Sequence, residues 1–262
     1  MKRKMFREER LRLIMEKIYN QKKVVVNDLA QQFGRSASSI RLDLAELEGR
    51  GLINRTHGGA LLVDGAAEDL VLTKKFLQLR TELEKEEKQR IGAAAVELIH
   101  DGDSIMIDGG TTNYFVAKNL GKKRGLTIVT SSIHLLPLLL DIPDAKIFLT
   151  GGLVHRDFED LIGEISLESI GRFKPDHTFM GIDGISYEHG LTTTDTAMAP
   201  LKRQMVSVSK DLIVVADSSK FGKVCLLSVA NFDDVGTIVT DNRLDPELVE
   251  KVKSLGPKLI LA

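Results

Sequence analysis

Five short apolar runs in the C-terminal two thirds of the chain each give way to Gly, Ser, Thr and Asp, residues suited to holding a small polar ligand. Ser104–Ile107 leads into Asp108, Gly109, Gly110, Thr111 and Thr112, and Leu126–Thr130 into Ser131 and Ser132. Lys146–Leu149 is followed by Thr150, Gly151 and Gly152, with Arg156 shortly after. His177–Met180 runs into Gly181 and Asp183, and Leu212–Ala216 into Asp217 and Lys220. Gly109 and Gly110 let the backbone approach a bound group closely, and Thr111 and Thr112 open a helix. Free N–H groups and hydroxyls, that of Thr130 included, therefore converge where a phosphate would sit. Arg156 and Lys220 bring charge to neutralise it. Asp108 and Asp183 accept hydrogen bonds and suit the hydroxyls of a sugar. Any one such loop is also what a plain turn would use; recurrence at five strand ends is what points to a ligand.

A second constellation lies near the N-terminus. Ser36 is placed to cap a helix running to about Glu48, with Ala37, Ile40, Leu44 and Leu47 on one face. Its other face carries Ser38, Ser39, Arg41, Leu42 and Ala45. Small hydroxyls and an arginine suit the DNA major groove, where Arg pairs with guanine and Ser reaches bases or phosphates. LINRTHGGALLV then reads as a small hairpin turning at Gly58 and Gly59, with Arg55 and His57 pointing outward as a basic wing.

The elements that position these residues follow from periodicity. Leu11, Ile14, Met15 and Ile18 mark a helix from about Arg7 to Tyr19. After the short apolar step at Val24, Asn27 is expected to cap a second helix, Asp28–Phe33, burying Leu29, Ala30 and Phe33 and ending at Gly34. Short helix, glycine-bearing turn and capped helix make a helix-turn-helix over about 24–43. Residues 1–60 carry 13 Lys and Arg against 7 Asp and Glu, or +6; the remaining 23 and 30 give −7, so only the head suits a polyanion. Further on, residues 81–99 read as one long helix burying Ile91, Ala94, Ala95, Leu98 and Ile99. Strands at Thr237–Thr240 and Lys258–Leu261 complete a series of seven, with helices near 112–120, 132–140, 163–171, 196–209 and 245–254. That alternation predicts a mostly parallel sheet covered by helices, with ligands beyond the carboxyl ends of its strands. The expected division is a winged helix-turn-helix domain over 1–62, a linker over 63–80 with a boundary at Asp64-Gly65, and an α/β effector-binding and oligomerisation domain over 81–262.

Several chemistries find no support. The single cysteine, Cys225, lies outside the loop constellation and suits a packing role in a reducing compartment. Six scattered histidines show no metal-ligand spacing, and neither a dinucleotide fingerprint nor a Walker loop occurs. No metal, cofactor or catalytic residue is assigned. The N-terminus has no apolar run after its positive charge, and the cluster 135–140 is short and broken by Pro137, so a cytoplasmic protein without a membrane partner is expected. The alternative function is a sugar-phosphate isomerase or transferase with Asp183 and Lys220 as its reactive pair.

The sequence VVVNDLAQQFGRSASSIRLDLAELEGRGLINRTHGGA resembles the DNA-binding domain of the DeoR family of bacterial regulators. The match is at Ser36, Ile40, Arg41, Asp43, Leu44, Arg55, His57, Gly58, Gly59 and Ala60, with departures at Arg35, Ser39 and Leu42. IMIDGGTTNYFVAKNL, TIVTSS, IFLTGGLVHRDFEDLIG, FMGIDGIS, APLKRQM and VVADSSKFG resemble the same family's effector domain. The resemblance implies a repressor of carbohydrate metabolism that binds operator DNA and a phosphorylated sugar; two heads reading successive major grooves would make it a homodimer or homotetramer. It also implies an effector domain of ribose-phosphate-isomerase-like type, with Lys202 among the effector-binding residues. Two positions depart from the pattern. Met198 stands where the family has glutamate, and Gly184 where the isomerase has a catalytic-site glutamate.

Overall fold

A computed structural model describes residues 7–21, 23–49, 53–62, 77, 80–82 and 84–262. It divides into two compact units, 1–83 and 84–262.

In the first unit, α1 (Arg7–Gln21), β1 (Lys23–Val25), α2 (Val26–Phe33) and α3 (Ala37–Gly49) precede a hairpin of β2 (Ile53–Thr56) and β3 (Gly59–Leu62). Leu11, Ile14, Met15 and Ile18 pack with Leu29, Ile40, Leu44, Leu47 and Ile53 into one core. Gly34 caps α2 in the left-handed conformation, φ 59°, and Ser36 Oγ accepts the Ser39 N–H at 3.2 Å, as the sequence predicts for both.

Two local expectations need correction. α2 begins at Val26 with Val25 as its cap residue, so Asn27 is not the N-cap. The reason is tertiary: β1 pairs with β3, and the Val26 N–H donates to Gly58 O at 2.8 Å, which turns the strand directly into the helix. The hairpin turn is His57-Gly58, and Gly59 is already the first residue of β3, opposite Thr56. Gly59 is needed for approach instead, since a Cβ there would collide with the Val24 carbonyl.

The second unit is built on a seven-stranded sheet whose seven strands are those read from the sequence. They are β4 (Ser104–Ile107), β5 (Thr127–Thr130), β6 (Lys146–Leu149), β9 (His177–Met180), β12 (Leu212–Val215), β14 (Thr237–Thr240) and β15 (Lys258–Leu261). Their order is β15-β14-β12-β9-β4-β5-β6, and every pairing is parallel. Alternate residues feed two cores. Met106, Val129, Met180 and Val214 pack on one face, beneath α7 (Glu164–Gly171), α8 (Met198–Val208) and α9 (Pro246–Ser254). Ile105, Ile107, Ile128, Phe179 and Ile213 pack on the other, with α4 (Lys85–Val96), α5 (Thr111–Asn119) and α6 (Leu136–Leu140). The order runs outward in both directions from β4 and β9, so the topological switch lies between these two strands.

Elements the sequence reading did not foresee lie around this sheet. A hairpin joins β7 (Leu153–His155) to β8 (Asp160–Ile162), and a small antiparallel sheet joins β10 (Gly184–Ser186), β11 (Gly190–Thr193) and β13 (Leu227–Ala230). The helix expected over 81–99 is interrupted at Glu84, whose φ is 49° and whose carboxylate is held by Arg243 at 2.5 Å. The helix expected over 132–140 is shortened to α6 because Ile133 and His134 direct their N–H groups to Glu159 O. The expected linker, including Asp64-Gly65, lies outside the described residues apart from Leu77 and Arg80.

Candidate DNA-reading face and strand-end site

In the first unit, α3 buries Ile40, Asp43, Leu44 and Leu47, which leaves Ser38, Arg41 and Leu42 exposed and Ser39 half-buried. Leu42 is 66% exposed, a large apolar side chain on the face offered to a groove. The orientation of this helix rests on a residue to which sequence reasoning gave no role. Asp43 is buried and accepts from Arg10 at 2.5 and 3.0 Å, and from Arg7 at 3.3 Å, which ties α3 to α1. The signal was present, since Asp43 falls within the apolar spacing 40, 43, 44, 47, where a carboxylate needs a partner. Arg55 does not project freely. Its Nε lies 2.6 Å from Glu48 Oε2 and its backbone N–H 3.0 Å from Glu48 Oε1, which also holds the Glu48 carboxyl below its ordinary pKa. His57 and Gly58 form the exposed turn.

In the second unit, Asp108 at the end of β4 and Gly181 at the end of β9 flank the topological switch. Lys202 reaches across from α8, and its ammonium donates to Asp108 Oδ2 and, at 2.9 Å, to Gly181 O. The Gly181 N–H donates to the same carboxylate oxygen at 3.2 Å. Gly110, φ 99°, introduces α5, and Thr111 and Thr112 lie buried in its first turn. Asn113 donates to Gly109 O at 3.2 Å. Asp108, Gly109, Gly181 and Lys202 are thus brought together, with Thr111 and Thr112 adjoining in the chain.

A further carboxylate, absent from the sequence reading, completes this cluster. Asp160 on β8 is buried against Gly109, where an added Cβ would strike both carboxylate oxygens. An antiparallel bridge to Ser132 holds it there, made by the Leu161 N–H donating to Ser131 O at 2.8 Å and the Ile133 N–H donating to Glu159 O at 2.7 Å. The preceding Glu159 adopts φ 52°, backbone strain of the kind a site retains when its surroundings enforce it. Burial, reinforced by the neighbouring Asp108 charge, pushes the Asp160 carboxyl up to about 7, with Ser132 and Lys202 pulling the other way. No periodicity marks Asp160; only the fold of the hairpin brings it to the strand ends.

The remaining sequence candidates are placed differently. Thr130 spends its hydroxyl on Ile107 O at 2.7 Å and on the Ser132 N–H at 3.0 Å, while Ser131 and Ser132 are buried. Gly151 and Gly152 follow β6 with φ 77° and 121°. Arg156 is exposed in the turn between β7 and β8. Asp183 accepts from the Thr193 and Thr194 hydroxyls at 2.7 and 3.3 Å and from the Thr194 N–H at 3.1 Å. Lys220 lies in a 3-10 turn after β12. Asp183 and Lys220 both act electrostatically on Cys225, whose thiol is raised first by burial and then by Asp183. The Cys225 N–H donates to Thr192 Oγ1 at 2.9 Å, which seats the side chain against β11. Gly184 allows that packing, since a Cβ there would sit 2.7 Å from Lys223 O and Thr192 Oγ1. A glutamate has no room at this position. Met198 is buried one helical turn before Lys202. Among the described residues no group of three or more His, Cys, Asp or Glu could hold a metal ion, and no helix is long and apolar enough to cross a membrane.

Comparison with known proteins bears on both units. A family model described as the DeoR-like helix-turn-helix domain matches residues 10–65, and one described as the DeoR C terminal sensor domain matches residues 83–242. The chain is 30% identical to a putative aga operon transcriptional repressor of Escherichia coli O157:H7, over 97% of this chain and 93% of that one. It is 32% identical to the HTH-type transcriptional regulator GlpR of Haloferax volcanii, over 96% of each. It is also 32% identical to the glycerol-3-phosphate regulon repressor of Escherichia coli K12, over 87% of this chain and 88% of that one. Among solved structures, ribose 5 phosphate isomerase A from Neisseria gonorrhoeae is similar over 56% of each chain, with 21% identity and a TM-score of 0.38.

Proposed function

Since the chain belongs to the DeoR family of DNA-binding transcriptional regulators, we propose that it represses a carbohydrate operon in the cytoplasm and that a phosphorylated sugar tunes its hold on the operator. The observation that carries the sensing half is the convergence of Asp108, Gly109, Gly181 and Lys202 at the switch between β4 and β9. Open parallel sheets take their ligands at such a switch. The start of α5, with Gly109, Gly110, Thr111 and Thr112, receives the phosphate. Ser131, Ser132, Gly151, Gly152 and Asp183 line the sugar, and Arg156 and Lys220 supply further positive charge. The names of the relatives support the direction of control, since one is called a putative aga operon transcriptional repressor and another a glycerol-3-phosphate regulon repressor.

The head, 1–62, reads DNA through Ser38, Ser39, Arg41 and Leu42, with Ser36, Arg55, His57 and Gly58 at its edges. For Arg55 to reach a phosphate it must exchange Glu48 for DNA, a small cost at an exposed pair. Residues 63–80 link the head to the sensor, 81–262, which also carries the homodimer or homotetramer contacts. The enzyme alternative falls to the family membership, and Gly184 leaves no space for the carboxylate that it would need.

The deciding experiment is a mobility-shift titration of an operator fragment with and without a panel of sugar phosphates and their unphosphorylated parents. One phosphorylated sugar should change operator affinity while its parent does not. If none does, the sensing half of this reading fails. Arg41→Ala should lower operator affinity at least tenfold and leave the thermal shift given by that sugar phosphate unchanged. Undiminished DNA binding would place the reading face elsewhere.

A further inference from the structure

Three buried side-chain oxygens around Asp108 are acceptors left without a donor. Asp108 Oδ1, Asp160 Oδ1 and Asn113 Oδ1 are all out of solvent contact and none has a hydrogen-bond partner among the described residues. The Ser131 and Ser132 hydroxyls, each able to donate as well as accept, lie beside them. Buried polar atoms are rarely left so, and unpaired ones gathered at a strand-end switch point to a missing ligand. Charge is unbalanced as well. Lys202 is the cation on Asp108, and Asp160 adds a second carboxylate beside the pair.

Building on the effector reading above, we propose that Asp160 is a specificity-determining residue that selects a sugar phosphate bearing a primary amine over its hydroxyl counterpart. An ammonium group offers three donors and no lone pair, which matches carboxylate and amide oxygens and supplies the lacking positive charge. A hydroxyl brings one donor, and it turns its own lone pairs toward acceptors. A metal ion fits less well, because Lys202 already holds Asp108 Oδ2 and, among the described residues, no group of three or more His, Cys, Asp or Glu could ligate one. Gly109 leaves the space in which the Asp160 carboxylate sits.

The test is isothermal titration of the full chain with two matched pairs, glucosamine 6-phosphate against glucose 6-phosphate and galactosamine 6-phosphate against galactose 6-phosphate. The amine should bind at least tenfold more tightly than the hydroxyl in one pair or both. Asp160→Asn should bring the two within about threefold by weakening the amine, and its cooperative thermal unfolding shows that the variant folds. Asp160→Ser serves the same purpose if the amide variant is unstable. Equal or tighter binding of the hydroxyl member in both pairs overturns the proposal, as does an amine preference that survives both substitutions. In those cases the effector reading stands; if no member of either pair binds, this proposal falls and the mobility-shift panel decides the effector reading separately.

Discussion

Asp160 ionises against its surroundings, and the consequence for stability has a definite sign. In the unfolded chain its carboxyl keeps the ordinary value of 3.8, whereas in the folded protein burial and the neighbouring Asp108 charge push it up to about 7. Below about pH 4 both states hold the proton and no difference arises. As pH rises toward 7 the unfolded chain gives up its proton first, so the folded state loses stability steadily and the loss is complete above 7. Asp160→Asn removes this titration. Its stability relative to the natural protein should therefore rise by ~1–3 kcal/mol between pH 5 and pH 8, as read by urea unfolding. A constant difference across that range would mean that Asp160 stays ionised. Gly109→Ala is expected to act oppositely, because the new methyl group displaces the carboxylate.

At the scale of elements, the wing and α3 are held by a few specific contacts. Ser36 caps α3 through the Ser39 N–H, so Ser36→Ala should cost about 1 kcal/mol in thermal or urea unfolding. Gly59→Ala should cost more than Ser36→Ala. Its Cβ meets the Val24 backbone, which cannot swing aside as a side chain can, and β1 must separate from β3. If Gly59→Ala were neutral, β1 would not be seated on the wing. The Arg10–Asp43 pair is buried, and removing either partner leaves the other without compensation, so α3 loses its fixed orientation before its helical content.

For the whole molecule, the proposed coupling between effector and operator is reciprocal. If the effector weakens operator binding by some factor, the operator must weaken effector binding by the same factor. Measuring effector affinity with and without saturating operator DNA should return the ratio found in the mobility-shift titration. Two unequal factors would show that the two ligands are not read by one two-state protein. Two heads on successive major grooves call for half-sites about 34–36 Å apart or a multiple of that distance. Hydroxyl-radical footprinting on the operator reads that spacing directly.

The helix-turn-helix pattern, the seven strands of the parallel sheet and the glycine- and hydroxyl-rich loops that follow them are written locally along the chain. These are local signals: apolar period, cap serine, turn glycine, and alternating burial on two faces. Asp108 and Gly109 were legible because they directly follow an apolar strand. The tertiary structure decided what depends on distant chain segments meeting. It set the start of α2 through Gly58, broke the helix at Glu84 through Arg243, and paired Lys202 with an aspartate 94 residues away. It also carried Asp160 onto Gly109, a juxtaposition of a hairpin with a loop more than 50 positions earlier in the chain that no local spacing encodes.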